Sequence, residues 1–253
     1  MRDPQYLDTP QGRRLAYHRS GGPGPGVVFL GGFVSDMQGT KAVHLEQWAQ
    51  ERGLSFLRFD YSGHGQSSGA FEDGSIGAWT EDALAAIAAL TEGPQILVGS
   101  SMGGWIALRC ARAEPLRIAG LVTIAAAPDF TEDSMWARFT PEQRARLEQD
   151  GRIDLPSDYG APYCITQKLI EDGRASMVLR DPLTLAFPVR LLHGTADAEV
   201  DPAVALRLLD HAVGHDIRLT MVKDADHRFS TPDCLAVIEA AIDEVLARGK
   251  VQL

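Results

Sequence analysis

The stretch that most constrains this chain is Ile96-Leu97-Val98-Gly99-Ser100-Ser101-Met102-Gly103-Gly104-Trp105, an apolar β run that breaks into Gly-x-Ser-x-Gly and continues at once as a helix. A serine at the tip of a sharp strand-to-helix turn has its hydroxyl pushed clear of the sheet, and glycines two before and two after remove side chains that would collide across the turn. Only Ser101 has glycines at both offsets, Gly99 and Gly103, so the exposed position falls to Ser101 rather than Ser100. The same turn leaves the Met102 N–H at the start of a helix spanning Met102 to Ala113, aimed where a tetrahedral oxyanion would form.

The chain around this motif alternates strands with helices. Gln5-Tyr6-Leu7 and Leu15-Ala16-Tyr17 flank Thr9-Pro10-Gln11-Gly12 and read as a hairpin at the sheet edge. Val27-Val28-Phe29-Leu30 is a continuous apolar run of the kind expected for a strand covered on both faces. Gly31-Gly32-Phe33 follows directly, where a second oxyanion N–H, that of Phe33, would lie; a loop shaped only by turn geometry is the competing reading. Lys41 to Arg52 has helical spacing, Leu54 to Arg58 reads as a strand, and Thr80 to Thr91 as an Ala- and Leu-rich helix. Asp60 and His64 between them sit in a turn-rich loop with no third ligand at a useful spacing, so the structural reading prevails there.

Ile118 to Ala125 is the next strand, after which the β signals fade. From Asp129 to Phe187 the pattern predicts two short amphipathic helices, Glu132 to Asp150 and Tyr163 to Asp172, in an insert too long to be a bare loop. Its apolar residues, among them Trp136, Phe139 and Tyr163, either line an acyl pocket over Ser101 or form the insert's own small core. Pro188 to Gly194 returns to a buried strand and ends on Asp197. Pro202 to His211 reads as a helix, Ile217 to Val222 as a strand, and Cys234 to Arg248 as the closing helix. The expectation is one α/β domain over residues 1–253, a mostly parallel eight-stranded sheet flanked by helices, with a helical lid at 129–187.

Ser101, Asp197 and His227 each fall just past the carboxyl end of a predicted strand, and loops there share one rim. A serine hydroxyl is barely ionised at neutral pH, so His227 must take its proton while Asp197 orients the imidazole. Asp201, four residues on, is a rival acid, as are Asp224 and Asp226 beside the histidine. Asp197 is preferred because it sits at the strand's Gly turn. His193, before that turn, reads as a satisfied structural histidine.

With 253 residues, 45% of them apolar, the chain can bury one substantial core. A net charge of -10 argues against binding a phosphate backbone, so nucleic acid is excluded as a partner. No apolar run approaches the ~20 residues of a membrane span, which predicts no integral membrane segment. Met1-Arg2-Asp3-Pro4-Gln5 lacks the basic start and apolar stretch of a secretory leader. Three cysteines in no metal-binding spacing suit reduced thiols. These observations lead to the expectation of a cytoplasmic protein that needs no metal and no cofactor.

The strand order, the elbow, the acid loop and the late histidine resemble the α/β-hydrolase superfamily over nearly the whole chain. The blocks Ser35 to Ala42, Leu57 to Gly63, Gly93 to Trp105, Pro188 to Gly194 and Asp226-His227-Arg228 are similar to the branch of α/β-hydrolase-domain proteins known as palmitoyl-protein thioesterase and acyl-glucuronide esterase. The resemblance implies Ser101 as nucleophile, Asp197 as acid and His227 as base, with S-acylated cysteine in proteins and activated acyl esters as substrates. The insert shows the least likeness, which puts substrate preference there. The expected activity is that of a serine hydrolase releasing a thiol or alcohol and then a carboxylic acid. A small-molecule carboxylesterase and a non-catalytic ligand receptor are the alternatives.

Overall fold

The computed structural model describes residues 3–22, 24–156 and 162–249. Its strands are β1 (Gln5–Asp8), β2 (Arg14–Ser20), β3 (Val27–Leu30), β4 (Phe56–Phe59), β5 (Gln95–Ser100), β6 (Ile118–Ile124), β7 (Arg152–Leu155), β8 (Tyr163–Thr166), β9 (Leu183–Thr184), β10 (Val189–Gly194), β11 (Ala212–Val213) and β12 (Ile217–Val222). Eight of them form one sheet in the order β1-β2-β4-β3-β5-β6-β10-β12. The β1–β2 hairpin and the β2–β4 pair are antiparallel, and every other neighbour in this sheet is parallel. The chain thus has the mostly parallel eight-stranded sheet that its alternating pattern predicts.

The helices are α1 (Thr40–Glu51), α2 (Ile76–Leu90), α3 (Met102–Ala113), α4 (Pro141–Asp150), α5 (Gln167–Ala175), α6 (Pro202–His211) and α7 (Pro232–Gly249). Side chains alternate across a strand, and both faces of this sheet are covered. Val27, Phe29, Ile96 and Val98 pack under Leu45, Trp48, Ile238 and Ile242 of α1 and α7. Val28, Leu30 and Leu97 pack on the opposite face with Trp79, Trp105 and Ile106 of α2 and α3. Burial on both sides explains why these strands read as unbroken apolar runs, each fully buried Leu, Ile or Phe contributing ~1.5–3 kcal/mol. Among the described residues no helix is long and apolar enough to cross a membrane.

The boundaries differ most from the sequence expectation in three places. Helix α2 begins at Ile76 rather than Thr80, because Ser75 caps it by accepting the Ala78 N–H at 3.3 Å. Glu132 to Asp150 is not one helix. A π turn, Thr131–Trp136, is followed by a break and by α4, which Thr140 and Gln143 start with a reciprocal capping box. Tyr163 to Thr166 is a strand paired antiparallel with β7, and only from Gln167 does the chain turn helical, capped by Thr166.

Residues between β6 and β10 are fastened to the sheet's own helices at several points. Asp172 accepts the Gly77 N–H of α2 at 2.6 Å, while within the segment the Asp129 carboxylate accepts the N–H groups of Val178 and Leu179 at 2.8 and 3.0 Å. Trp105 Nε1 and Arg109 Nη1 both donate to the Ser176 carbonyl, at 3.1 and 2.8 Å.

Candidate active site

The elbow after β5 holds Ser101 at φ 55, ψ −119, a left-handed conformation that a non-glycine residue adopts only under constraint. The constraint is visible. The Ser101 N–H donates to the Ile124 carbonyl at 2.9 Å, and its own carbonyl accepts from Gly104 and Ala127 at 2.9 and 3.1 Å. The flanking glycines are required by contact: a Cβ on Gly99 would lie 2.3 Å from the Gly103 carbonyl oxygen, and one on Gly103 would lie 2.0 Å from that of Leu30. That second contact presses the elbow against the end of β3, so Gly32 approaches Ser101 closely enough for a Cβ there to sit 3.4 Å from the serine Cβ.

His227 arrives on the loop after β12 and Asp197 on the loop after β10, and the two loops are laced together. The Thr195 N–H donates to the Val222 carbonyl at 2.9 Å, that of Ala196 to Ala225 at 3.0 Å, and that of Asp224 to the Thr195 hydroxyl at 2.8 Å. The outcome is a continuous hydrogen-bonded chain. His227 Nε2 is 3.1 Å from Ser101 Oγ, and His227 Nδ1 is 2.9 Å from Asp197 Oδ2. A carboxylate only accepts, so Nδ1 carries the proton and Nε2 is left to accept from the serine hydroxyl. Burial alone would push the Asp197 carboxyl up. The hydrogen bonds from His227 and the Val200 amide, the electrostatic attraction of His227, and the Glu199 amide outweigh burial and hold it below its ordinary value.

Two of the rival acids are otherwise engaged. Asp201 caps α6 by accepting the Ala203 N–H at 2.8 Å, and Asp226 accepts that of Phe229 at 3.1 Å. His193 is fully buried beneath Asp197, its Nε2 3.0 Å from the Val200 carbonyl and 3.3 Å from Asp197 Oδ2. Its Nδ1 finds no partner among the described residues, so it is less satisfied than its sequence position suggested. Asp60 and His64 lie away from the serine: Asp60 accepts the Met37 and Gln66 N–H groups, and His64 Nδ1 faces the Ser62 carbonyl at 3.2 Å.

Ser101 and His227 open into a cavity of about 620 Å³, whose walls include Phe33, Met102, Phe130, Tyr163, Arg138 and Val204. Phe33 and Met102 therefore both border the cavity into which the serine opens. The Phe33 ring is boxed by Phe71, Phe130, Tyr163 and Trp79 with centroids 5.0, 5.7, 5.9 and 6.2 Å away. Of the three aromatic residues that the sequence offered as pocket wall, Tyr163 borders the cavity and Trp136 and Phe139 do not. Phe139 is buried in the core, and Trp136 packs against it at 6.0 Å with the guanidinium groups of Arg174 and Arg144 over its ring at 4.6 and 5.1 Å. Helical spacing marks a residue as buried but does not say against what. Sequence reasoning missed Phe130 and two charged neighbours: Glu199, whose Oε2 is 3.6 Å from His227 Nε2, and Lys41, which also lines the cavity.

A strand-to-helix elbow on the rim of a mostly parallel sheet, with acid and imidazole delivered by later loops in the order Ser, Asp, His, defines a serine hydrolase of the α/β-hydrolase fold. The family described as serine aminopeptidase, S33 matches residues 23–160, more than half of the chain. Palmitoyl-protein thioesterase ABHD10, mitochondrial, of Rattus norvegicus is 36% identical over 243 residues, covering 95% of this chain and 82% of that protein. Among solved structures, a putative hydrolase from Agrobacterium vitis S4 is 39% identical with a TM-score of 0.92, covering 96% of this chain and 98% of its own. Alpha/beta hydrolase domain-containing protein 10 from mouse is 34% identical with a TM-score of 0.89, covering 97% and 99%. The chain belongs to this α/β-hydrolase family, that of the ABHD10 proteins.

Proposed function

We propose that the chain cleaves acyl thioesters or esters through an acyl-enzyme at Ser101, with His227 as general base and acid and Asp197 as its orienting carboxylate. The observation that carries this reading is the relay itself, 3.1 Å from serine oxygen to imidazole and 2.9 Å from imidazole to carboxylate. Ser101 Oγ attacks the acyl carbonyl as His227 Nε2 takes its proton, and the oxyanion is received by the N–H groups of Phe33 and Met102. His227 returns the proton to the departing thiol or alcohol. Water, deprotonated by the same nitrogen, then attacks the acyl-serine, releasing the carboxylic acid and restoring the hydroxyl. The whole cycle uses protein groups and water.

The names of the relatives favour a long-chain thioester, S-acylated cysteine in a protein, as the substrate. The apolar wall of Phe33, Phe130 and Tyr163 is compatible with an acyl chain. In this reading the described part of 129–187, which supplies Phe130 and Tyr163, acts as the lid over the acyl group, residues 157–161 lying outside the described residues. Comparing kcat/KM on thioester and oxyester substrates of matched chain length separates a thioesterase from a small-molecule carboxylesterase. A fluorophosphonate probe should label the wild-type protein and not Ser101→Ala. A folded wild-type protein that stays unlabelled would instead favour the receptor reading. A cytoplasmic location, suggested by the unpaired thiols of Cys110, Cys164 and Cys234, is part of the proposal and is tested by cell fractionation. The rat relative's name places that protein in mitochondria.

A further inference from the structure

The segment from Ser35 to Ala42 contributes nothing to the relay, yet its main chain is clamped. Asp60 Oδ1 accepts the Met37 N–H at 2.6 Å, and Arg58 Nη1 donates to the Met37 carbonyl at 2.7 Å. Arg58 and Asp60 are both buried. Held in this way, the chain enters α1 with Lys41 in the first turn. Two physical rules oppose a lysine there. The first turn is the positive end of the helix dipole, which disfavours a cation. Burial also disfavours the ammonium, and lowers its pKa from the ordinary lysine value despite the opposing pull of Asp226.

What Lys41 does with its charge is specific. Its Nζ donates to the main-chain carbonyl of Arg228, 187 positions along the chain and directly after His227. The loop that Lys41 grips holds two non-glycine residues at left-handed φ, Asp224 at 61 and Phe229 at 47, so it is bent on both sides of the histidine. Further along α1, His44 Nε2 meets Glu239 Oε1 of α7 at 2.6 Å, and just past its end Arg52 meets Asp243 at 3.7 Å. Helix α1 is therefore docked along its length on the element that follows the histidine loop, and Lys41 is the contact at the catalytic end.

We infer that Lys41 is a positioning residue, which by holding the Arg228 carbonyl fixes the loop so that the His227 imidazole stays between Ser101 and Asp197. The inference rests on the reading of His227 as the base. It assigns a task to the Ser35–Ala42 block, which links Phe33 at the oxyanion loop to the histidine loop by way of a clamped turn.

The test compares Lys41→Met and Lys41→Arg with wild type in fluorophosphonate labelling rate, in steady-state kinetics on a short-chain thioester, and in thermal melting. Lys41→Met should slow both labelling and kcat on the order of tenfold to a hundredfold, as a small displacement of a reacting group does. KM should stay within about twofold if Lys41, although it lines the cavity, acts through the loop rather than on the substrate. Lys41→Arg, which keeps a donor within reach of the carbonyl, should recover most of the rate. Should Lys41→Met not fold, Lys41→Gln carries the same expectation, because its shorter stem falls short of Arg228. Wild-type labelling rate in a folded Lys41→Met or Lys41→Gln protein overturns the inference. So does a rise in KM at constant kcat, which would make Lys41 a substrate contact, or an equal loss in Lys41→Arg. A wild-type protein that is not labelled at Ser101 overturns the hydrolase reading instead, so the two failures are distinct.

Discussion

Asp197 meets His227 with one carboxylate oxygen and is itself held by the other: Oδ2 lies 2.9 Å from His227 Nδ1, while Oδ1 accepts the N–H groups of Glu199 and Val200 at 2.9 Å each. The acid is thus fixed from behind before it can fix the imidazole. An amide in its place would offer a donor to Nδ1 and select the wrong tautomer. Asp197→Asn is expected to lower kcat on the order of 10⁴-fold. Asp201→Asn should leave kcat near wild type and Asp201→Ala should lower stability by about 1 kcal/mol, because Asp201 caps α6. Steady-state kinetics and chemical denaturation of the three variants check this, and the opposite ranking in kcat would transfer the acid's role to Asp201.

The same residue gives the protein a specific acid sensitivity. The Asp197 carboxyl lies below its ordinary value in the folded protein, burial being outweighed by the His227 and amide hydrogen bonds. A group whose pKa is lower folded than unfolded contributes stability above its unfolded value, about 3.9, and that contribution is lost as pH falls through the folded value. Urea midpoints measured from pH 6 down to pH 3 should therefore fall more steeply in the wild type than in Asp197→Asn below about pH 4. Parallel curves would show that the carboxyl is unshifted.

The elbow's glycines make a stability prediction. A Cβ on Gly103 would sit 2.0 Å from the Leu30 carbonyl and 2.5 Å from that of Gly31, both main chain and unable to swing aside. Gly103→Ala should cost about 3 kcal/mol or prevent folding. Gly53, at φ 67 with open space around its Cβ position, should cost only about 1 kcal/mol on the same change. Equal melting temperatures for the two variants would contradict the close approach of elbow and β3.

Two aromatic residues of the insert should separate cleanly. Tyr163 faces the cavity and touches the Phe33 ring at 5.9 Å, so Tyr163→Ala should raise KM for long-chain acyl substrates while leaving an acetyl ester nearly unaffected. Trp136 lies outside the cavity with the guanidinium groups of Arg144 and Arg174 over its ring. Trp136→Ala should lower stability by about 1 kcal/mol with no chain-length dependence in its kinetics. A chain-length series run on both variants is the measurement.

The sheet and the meeting of Ser101, Asp197 and His227 were legible because they depend on signals that are local and strong. Runs such as Val27–Leu30, apolar at every position, require cover on both faces, and residues just past the ends of parallel strands share a rim. The insert was less legible. Strand β7, Arg-Ile-Asp-Leu, buries only Ile153 and is half charged, so nothing marked it as a partner for Tyr163–Thr166, which the spacing alone assigned to a helix. Trp136 and Tyr163 are apolar in the same way on paper. Tyr163 reaches the cavity from the β7–β8 pair while Trp136 closes the π turn outside it, and neither feature has a sequence period. Lys41 escaped notice because its partner is a main-chain carbonyl, and carbonyls leave no trace in a sequence.

At position 101 durability and turnover pull against each other. The main chain there is bent into φ 55, which glycine adopts freely and serine does not, so every copy of the folded protein carries a local strain that a glycine would relieve. A descendant freed from the need to react would drift toward glycine at that turn and melt later for it. A hydroxyl-bearing residue at so unfavourable a bend gives up stability that glycine would recover.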